Sequence, residues 1–325
     1  MSELHPFAAL SPELVIDAVE STGRLSDLRV FALNSYENRV YQVGIDGGEP
    51  LIAKFYRPER WSDAQILEEH RFSLELAEAE LPVIAPLLNE DGQTLLRHGD
   101  FRFSLFPRRG GSAPELSDFD TLEMLGRLMA RLHAIGELAP YRERPTLDVQ
   151  SFGHASVELI LSRCIPADLR LPYETLCRDL LPKIEAKFRD IAPTCIRSHG
   201  DCHVGNILSR DGQWHFVDLD DSRMAPAIQD LWMMLSGERY DRSAQLSALL
   251  EGYNEFRDFP LKEIGLIEAL RTLRIMHFAA WLASRWDDPA FPLAFPWFGQ
   301  ARYWSDHILE LREQLAALDE PPLAV

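Results

Sequence analysis

The sequence predicts an α+β chain. A five-stranded antiparallel sheet with one main helix, residues 1–106, precedes a mostly helical half, residues 107–325. Short β-type runs separated by turn residues crowd the first part. Apolar residues at helical period fill the rest. Between them the run PRRGG, Pro107 to Gly111, reads as a hinge.

In order along the chain, Ser11 reads as an N-cap with Pro12 in the first turn of a helix. Residues 31–33 and 39–45 read as strands flanking the polar loop 34–38. Asp46, Gly47 and Gly48 make a hairpin turn, and residues 51–56 form the next strand. Ser62 caps a helix over 63–79, and residues 94–97 and 101–106 complete the sheet. Beyond the hinge, helices are predicted over 117–135, 157–161, 173–190, 230–236, 243–256, 264–286 and 302–318.

Composition narrows the function. The chain has 325 residues, and 46% of them are apolar, which is enough for a real core. A formal charge of −18 argues against nucleic acid and anionic membrane surfaces as partners. No apolar stretch is long enough to span a bilayer. The N-terminal run MSELHPFAALSPEL lacks the basic and apolar regions of a signal peptide, so a cytoplasmic location is expected. The four cysteines form no C-x-x-C pair, and Cys202 reads as a small packed thiol. No long exposed apolar helix face calls for a dimer, so a monomer is expected.

The chemistry concentrates between Ser198 and Asp230. His199-Gly200-Asp201 is followed by Asn206 and then by an apolar strand ending in Asp218. Phosphoryl transfer to a hydroxyl needs one carboxylate to take the proton. It also needs an amide oxygen and a second carboxylate to hold Mg²⁺ on the nucleotide phosphates. Asp201 fits the first role, and Asn206 and Asp218 the second.

A second constellation lies upstream. Lys54 sits in an apolar strand, where an ammonium is costly without a partner. Glu68 and Glu69 lie in the next helix, and Glu69 is the preferred partner. Such a lysine binds nucleotide phosphates while a helix glutamate holds it. There is no glycine-rich G-x-G-x-x-G loop and no Walker sequence. The loop 34–38, with Ser35, is left to contact phosphate, and an ordinary hairpin turn is the equal alternative. The strand around Phe103 to Phe106 is expected to meet the adenine.

Several residues invite plainer readings. His133 reads as a helix C-terminal cap. His199 and His203 read as loop braces, and Asp230 as a tie between the catalytic loop and the helical half. Asp220 and Asp221 read as solvated or bracing, with Asp220 an alternative aid to the metal. Trp281, Trp286, Trp297 and Trp304 suit core packing better than a cation cage.

These residues carry a resemblance. HGDCHVGNIL with FVDLDD is similar to the aminoglycoside phosphotransferase and choline kinase superfamily. LNSYENRVYQV, AKFYRPERW, QILEEHRF, AIQDLWMML and DDPAFPLAFPWF resemble its bacterial stress response kinases over nearly the whole chain. The resemblance implies a two-lobe protein-kinase-like fold with a nucleotide-binding lobe and a helical catalytic and substrate lobe. It implies an ATP- and Mg²⁺-dependent serine/threonine protein kinase of the cytoplasm, active in stress tolerance. Protein hydroxyls are then the acceptors, those of the kinase itself included through autophosphorylation. Asp201 and Asp218 fall on the catalytic positions, Asn206 and Asp218 on the metal ligands. Ser35, Lys54 and Glu69 fall on the nucleotide-binding positions. The missing H-R-D arginine, D-F-G and A-P-E leave the protein acceptor resting on likeness alone. A small-molecule kinase shares every catalytic residue, and a nucleotide-binding module without transfer is the remaining alternative.

Overall fold

The computed structural model describes His5 and residues 7–325, so the N-terminal run read as lacking a leader lies partly outside them. Contacts divide the chain into two compact units. Of the described residues, His5 and those at 7–116, 134–144 and 201–222 form the first; residues 117–133, 145–200 and 223–325 form the second. These contact units interleave along the chain, whereas the sequence reading sets one boundary at residue 106. The segment 201–222 joins the first unit because Phe216 pairs with Val83, and Ser209 with Ser112.

In the first unit, α1 (Pro12–Glu20) starts where the Ser11 hydroxyl accepts the Leu14 N–H at 3.3 Å. Strands β1 (Ser26–Ala32), β2 (Arg39–Ile45), β3 (Leu51–Phe55), β4 (Leu96–His98) and β5 (Phe101–Pro107) form one antiparallel sheet. Its order is β1-β2-β3-β5-β4. Gly47, at φ +63°, makes the β2–β3 turn that a side chain would strain. β1 begins before residue 31, where the sequence pattern places it. Its register breaks between Ser26 and Val30, and Leu28 lies there at φ +69°. That irregularity erases the alternation by which a strand is read. α2 (Asp63–Glu78) opens with a capping box between Ser62 and Gln65.

Strand alternation sorts the sheet's faces. Phe103 and Leu105 of β5 join Ala53 and Phe55 of β3 in the core under α1, with Val15, Val19 and Val43. Lys54 and its register partner Ser104 point to the opposite face. The unit also holds the hairpin of β7 (Ile207–Arg210) and β8 (Gln213–Phe216), which directly precedes Asp218.

The second unit is mostly helical. It contains α3 (Phe119–Glu137, except its last four residues), α4 (Ala155–Arg163) and α5 (Ala167–Ile191). Strand β6 (Ile196–Ser198) pairs with β9 (Arg223–Ala225). The short α6 (Ile228–Leu231), α7 (Arg239–Tyr253), α8 (Ile267–Ser284), α9 (Ala290–Ala294) and α10 (Ala301–Ala317) follow. α5 starts earlier than expected and carries Pro172 and Pro182 inside it. Tertiary packing of Tyr173, Leu176, Leu180 and Ile184 overrides the proline signal at its start. Trp304 is buried, and Trp281 meets the Phe291 ring edge-on at 5.0 Å, so these two tryptophans pack as the sequence reading held. No helix among the described residues is long and apolar enough to cross a membrane.

α3 and α7 meet backbone to backbone. A Cβ at Gly126 would stand 2.0 Å from the Leu249 carbonyl oxygen, and one at Gly252 1.9 Å from that of Glu123. Neither carbonyl can step aside without bending its helix. Gly252→Ala is expected to destabilise the protein by about 1–3 kcal/mol through overpacking. Urea unfolding would show this as a lower midpoint at unchanged slope.

Candidate active site

The first unit gathers most of the predicted site. Lys54 is 8% exposed on the inner face of β3. Its Nζ lies 2.8 Å from Asp218 Oδ1 and 3.2 Å from Asp220 Oδ1. Burial opposes the ammonium charge, but Asp218 and Asp220 outweigh it and raise the lysine above its ordinary range. The Tyr56 ring lies 5.6 Å from the same nitrogen. A buried cation in this setting remains charged, as neutralising phosphate oxygens requires.

The loop from Asp201 to Asn206 is closed largely by its own backbone. Asp201 O accepts the His203 N–H at 2.9 Å and the Asn206 Nδ2 at 2.9 Å. Asn206 O accepts the Val217 N–H at 3.0 Å, which sets Asn206 beside the strand end that carries Asp218. His203 braces the loop as expected. Its Nδ1 accepts the Gly205 N–H at 3.0 Å, and its Nε2 lies 3.6 Å from Asp201 Oδ2. Asp218 is 55% exposed at the side chain and adopts the left-handed conformation, φ 60° and ψ 61°.

The site suits a hard divalent cation. Asn206 spends its Nδ2 on Asp201 and so turns its Oδ1 lone pairs to the remaining side. The Asp218 carboxylate is half exposed. These are oxygen donors, as Mg²⁺ prefers, and Mg²⁺ is commonly held by one or two protein groups together with substrate phosphates. The described residues contain no group of three or more His, Cys, Asp or Glu placed to hold a metal, and such a binding mode needs none.

Two expected site residues bond to partners other than those the sequence suggests. No ion pair joins Lys54 to Glu69, so the pairing expected from the sequence is corrected. Glu69 Oε1 accepts the Ser73 hydroxyl at 2.7 Å, and Oε2 lies 3.8 Å from His70 Nε2. Its charge still acts on Lys54, less strongly than those of Asp218 and Asp220. Glu68 is excluded as the partner. Its carboxylate accepts the backbone N–H groups of Arg142, Glu143 and Arg144 at 2.7–2.9 Å. Ser35 gives its hydroxyl to Asn38 O at 2.6 Å, within its own loop. On β5, Ser104 and Phe106 rather than Phe103 and Leu105 share the Lys54 face.

Asp220 is the residue that sequence reasoning undervalued. It is 2% exposed, so the solvated reading does not hold. Its Oδ2 accepts Asn38 Nδ2 at 3.2 Å and is ion-paired with Arg60. Burial would raise its carboxyl, but Arg60 and then Lys54 outweigh that and bring it down to about 2. A usable signal was the density of cations in KFYRPER, where Lys54, Arg57 and Arg60 fall within seven residues.

In the second unit, Asp230 organises the stretch that precedes Asp201. Its Oδ2 accepts the His199 N–H at 2.7 Å, and its Oδ1 the Gly200 N–H at 2.8 Å. His133 is corrected from a C-terminal cap. It is fully buried, with Nε2 3.1 Å from Asp230 Oδ2 and Nδ1 2.9 Å from the Tyr253 hydroxyl. Glu263, also buried, accepts the Ile228 N–H at 3.1 Å and fixes α6 from the far side.

A five-stranded sheet carrying a buried lysine, and a loop carrying aspartate, asparagine and aspartate in that order, define the class of kinase-fold phosphotransferases. The family profile described as the phosphotransferase enzyme family matches residues 28–263, and the chain belongs to that family. Among characterised relatives, stress response kinase A of Escherichia coli is 43% identical over 318 residues, covering 98% of this chain and 96% of that one. The serine/threonine protein kinase RdoA of Salmonella typhimurium matches with the same identity and coverage. Among solved structures, an amicoumacin kinase in complex with AMP-PNP, Ca²⁺ and Ami superposes with a TM-score of 0.71 at 18% identity, covering 94% of this chain and 93% of that one. A microcompartment-associated aminopropanol kinase also gives 0.71 at 18% identity, covering 94% and 98%. At that identity the two structures establish the fold: a kinase-like α+β chain with an N-terminal antiparallel sheet and a mostly helical remainder.

Proposed function

We propose that the protein is an ATP-dependent serine/threonine protein kinase of the cytoplasm, acting in the bacterial stress response. The observation that carries the reading is the join of Lys54 to the Asp218 end of the catalytic loop at 2.8 Å. It puts a phosphate-neutralising cation and the second carboxylate at one point. The choice of a protein acceptor is supported by the full-length likeness to relatives named as stress response and serine/threonine protein kinases.

In this reading residues 1–106 bind the nucleotide, with adenine beside Phe106, and residues 107–325 supply the catalytic and substrate part. Lys54 neutralises phosphate oxygens, Ser35 and its loop contact them through the backbone, and Glu69 adds a more distant negative charge. The Asp201 carboxylate accepts the proton of the attacking serine or threonine hydroxyl. Asn206 and Asp218 would hold Mg²⁺, which would supply charge neutralisation at the nucleotide phosphates. Positioning and charge neutralisation supply most of the rate. A monomer that contacts neither membrane nor nucleic acid suffices for this chemistry.

Labelled ATP separates the acceptor classes. Incubated with the protein and a cell lysate, it is expected to label protein serine or threonine, the kinase's own included. Label confined to small amino alcohols or sugars in a metabolite pool would replace the protein acceptor with a small-molecule one. Tight MgATP binding without transfer to either would remove the catalytic reading.

A further inference from the structure

We propose that Asp220 is the positioning residue for Lys54, in place of the helix glutamate, and that the same carboxylate sets the 34–38 loop. The proposal rests on the ATP reading above and names the anion that keeps the site assembled when nucleotide is present. Lys54 has two carboxylate neighbours, and they differ in kind. Asp218 is 55% exposed at the side chain, while Asp220 is 3% exposed. Asp218 is the carboxylate assigned to Mg²⁺. Once it serves a divalent cation, its charge is no longer Lys54's alone, and Asp220, at 3.2 Å, is the anion that remains.

Asp220 is held in place from three directions. Arg60 pairs with its Oδ2, and Asn38 Nδ2 donates to the same oxygen at 3.2 Å. Arg144 Nη1 donates to its backbone oxygen at 2.7 Å. A carboxylate so enclosed is poorly placed to join Asp218 on a metal and well placed to act as a fixed counterion. The loop is indexed to it as well. Asn38 Oδ1 accepts the Arg57 N–H at 3.1 Å, and the Ser35 hydroxyl closes on Asn38 O at 2.6 Å. One buried oxygen pair therefore sets both the cation and the loop that face the phosphates. Glu69 has no such contacts: its partners are Ser73 and His70.

The test measures binding of MgATP and of adenosine, which lacks phosphates, to the full chain and its variants by calorimetry. Asp220→Asn is expected to weaken MgATP binding by about tenfold or more, the scale of a lost charge-assisted contact, while adenosine binding stays unchanged. Glu69→Gln is expected to cost MgATP less than Asp220→Asn does. In a Lys54→Met background, Asp220→Asn is expected to add little, because both changes remove one interaction. Equal losses for ATP and adenosine would reduce Asp220 to a structural residue and overturn the proposal. So would a larger loss from Glu69→Gln, or additive losses in the double variant. If Asp220→Asn does not fold, Asp220→Glu keeps the charge but moves it by one methylene, and the same ATP-selective loss is expected. Failure of both to fold would assign Asp220 to the core and end the positioning role. Wild-type protein that binds MgATP no better than adenosine would instead overturn the ATP reading, a result distinguishable from failure of any variant.

Discussion

Asp201→Ala is expected to lower phosphoryl transfer by roughly a thousandfold, within the range for loss of a positioned general base. MgATP binding and folding should persist. The backbone oxygen of Asp201, which the variant keeps, accepts His203 N–H and Asn206 Nδ2 in closing the loop. A single-turnover assay beside a nucleotide-binding measurement separates the two effects. Near wild-type turnover in the variant would remove Asp201 from the proton-accepting role. Loss of nucleotide binding in parallel would show that the carboxylate holds the site together.

Asp230→Ala is expected to have the largest effect on stability, about 3–5 kcal/mol, as when one partner of a buried charged network is removed. The side chain is fully buried, and its loss strands the His199 and Gly200 N–H groups and His133 Nε2 together. Burial would raise the Asp230 carboxyl, but the His133 hydrogen bond and charge, with His199 and the Gly200 N–H, bring it below its ordinary value of 3.8. A depressed carboxyl stabilises the fold fully above the unfolded value and loses that contribution as pH falls through the folded one. The gap between wild type and variant in denaturant unfolding should therefore be full near neutral pH and shrink below about pH 4. A gap under about 1 kcal/mol at neutral pH would mean that the N–H groups find other acceptors.

The local geometry of the candidate site was legible in the sequence. Asp201, Asn206 and Asp218 are set by short loop spacings and by the strand that ends at Asp218, so the printed order of residues carries the geometry. The sheet was legible for a related reason, since alternation and a glycine turn are properties of neighbouring residues. Partner choice was not. Lys54 had two candidate glutamates, Glu68 and Glu69, adjacent in α2. The structure gives it two aspartates far along the chain instead, while Glu68 holds three backbone N–H groups of the 142–144 segment. Those pairings depend on tertiary approach, which no spacing rule encodes. His133 misled because a histidine in the last turns of a helix matches the capping pattern, whereas burial against Asp230 and Tyr253 decides its role. The early start of α5 was hidden by Pro172, and the start of β1 by its irregular register.

The left-handed backbone at residue 218 restricts the choice of side chain twice over. Residues with a Cβ resist that region, and the short polar asparagine and aspartate tolerate it better than most. Glycine would fit with least strain but brings no charge. Asparagine would fit and is neutral. Glutamate reaches this region elsewhere in the chain, at Glu59 and Glu80, but its extra methylene would carry the carboxylate away from Lys54 Nζ, which lies 2.8 Å from Asp218 Oδ1. Aspartate is thus the acid that meets both demands, and chain geometry rather than acidity alone narrows what evolution or an engineer can place there.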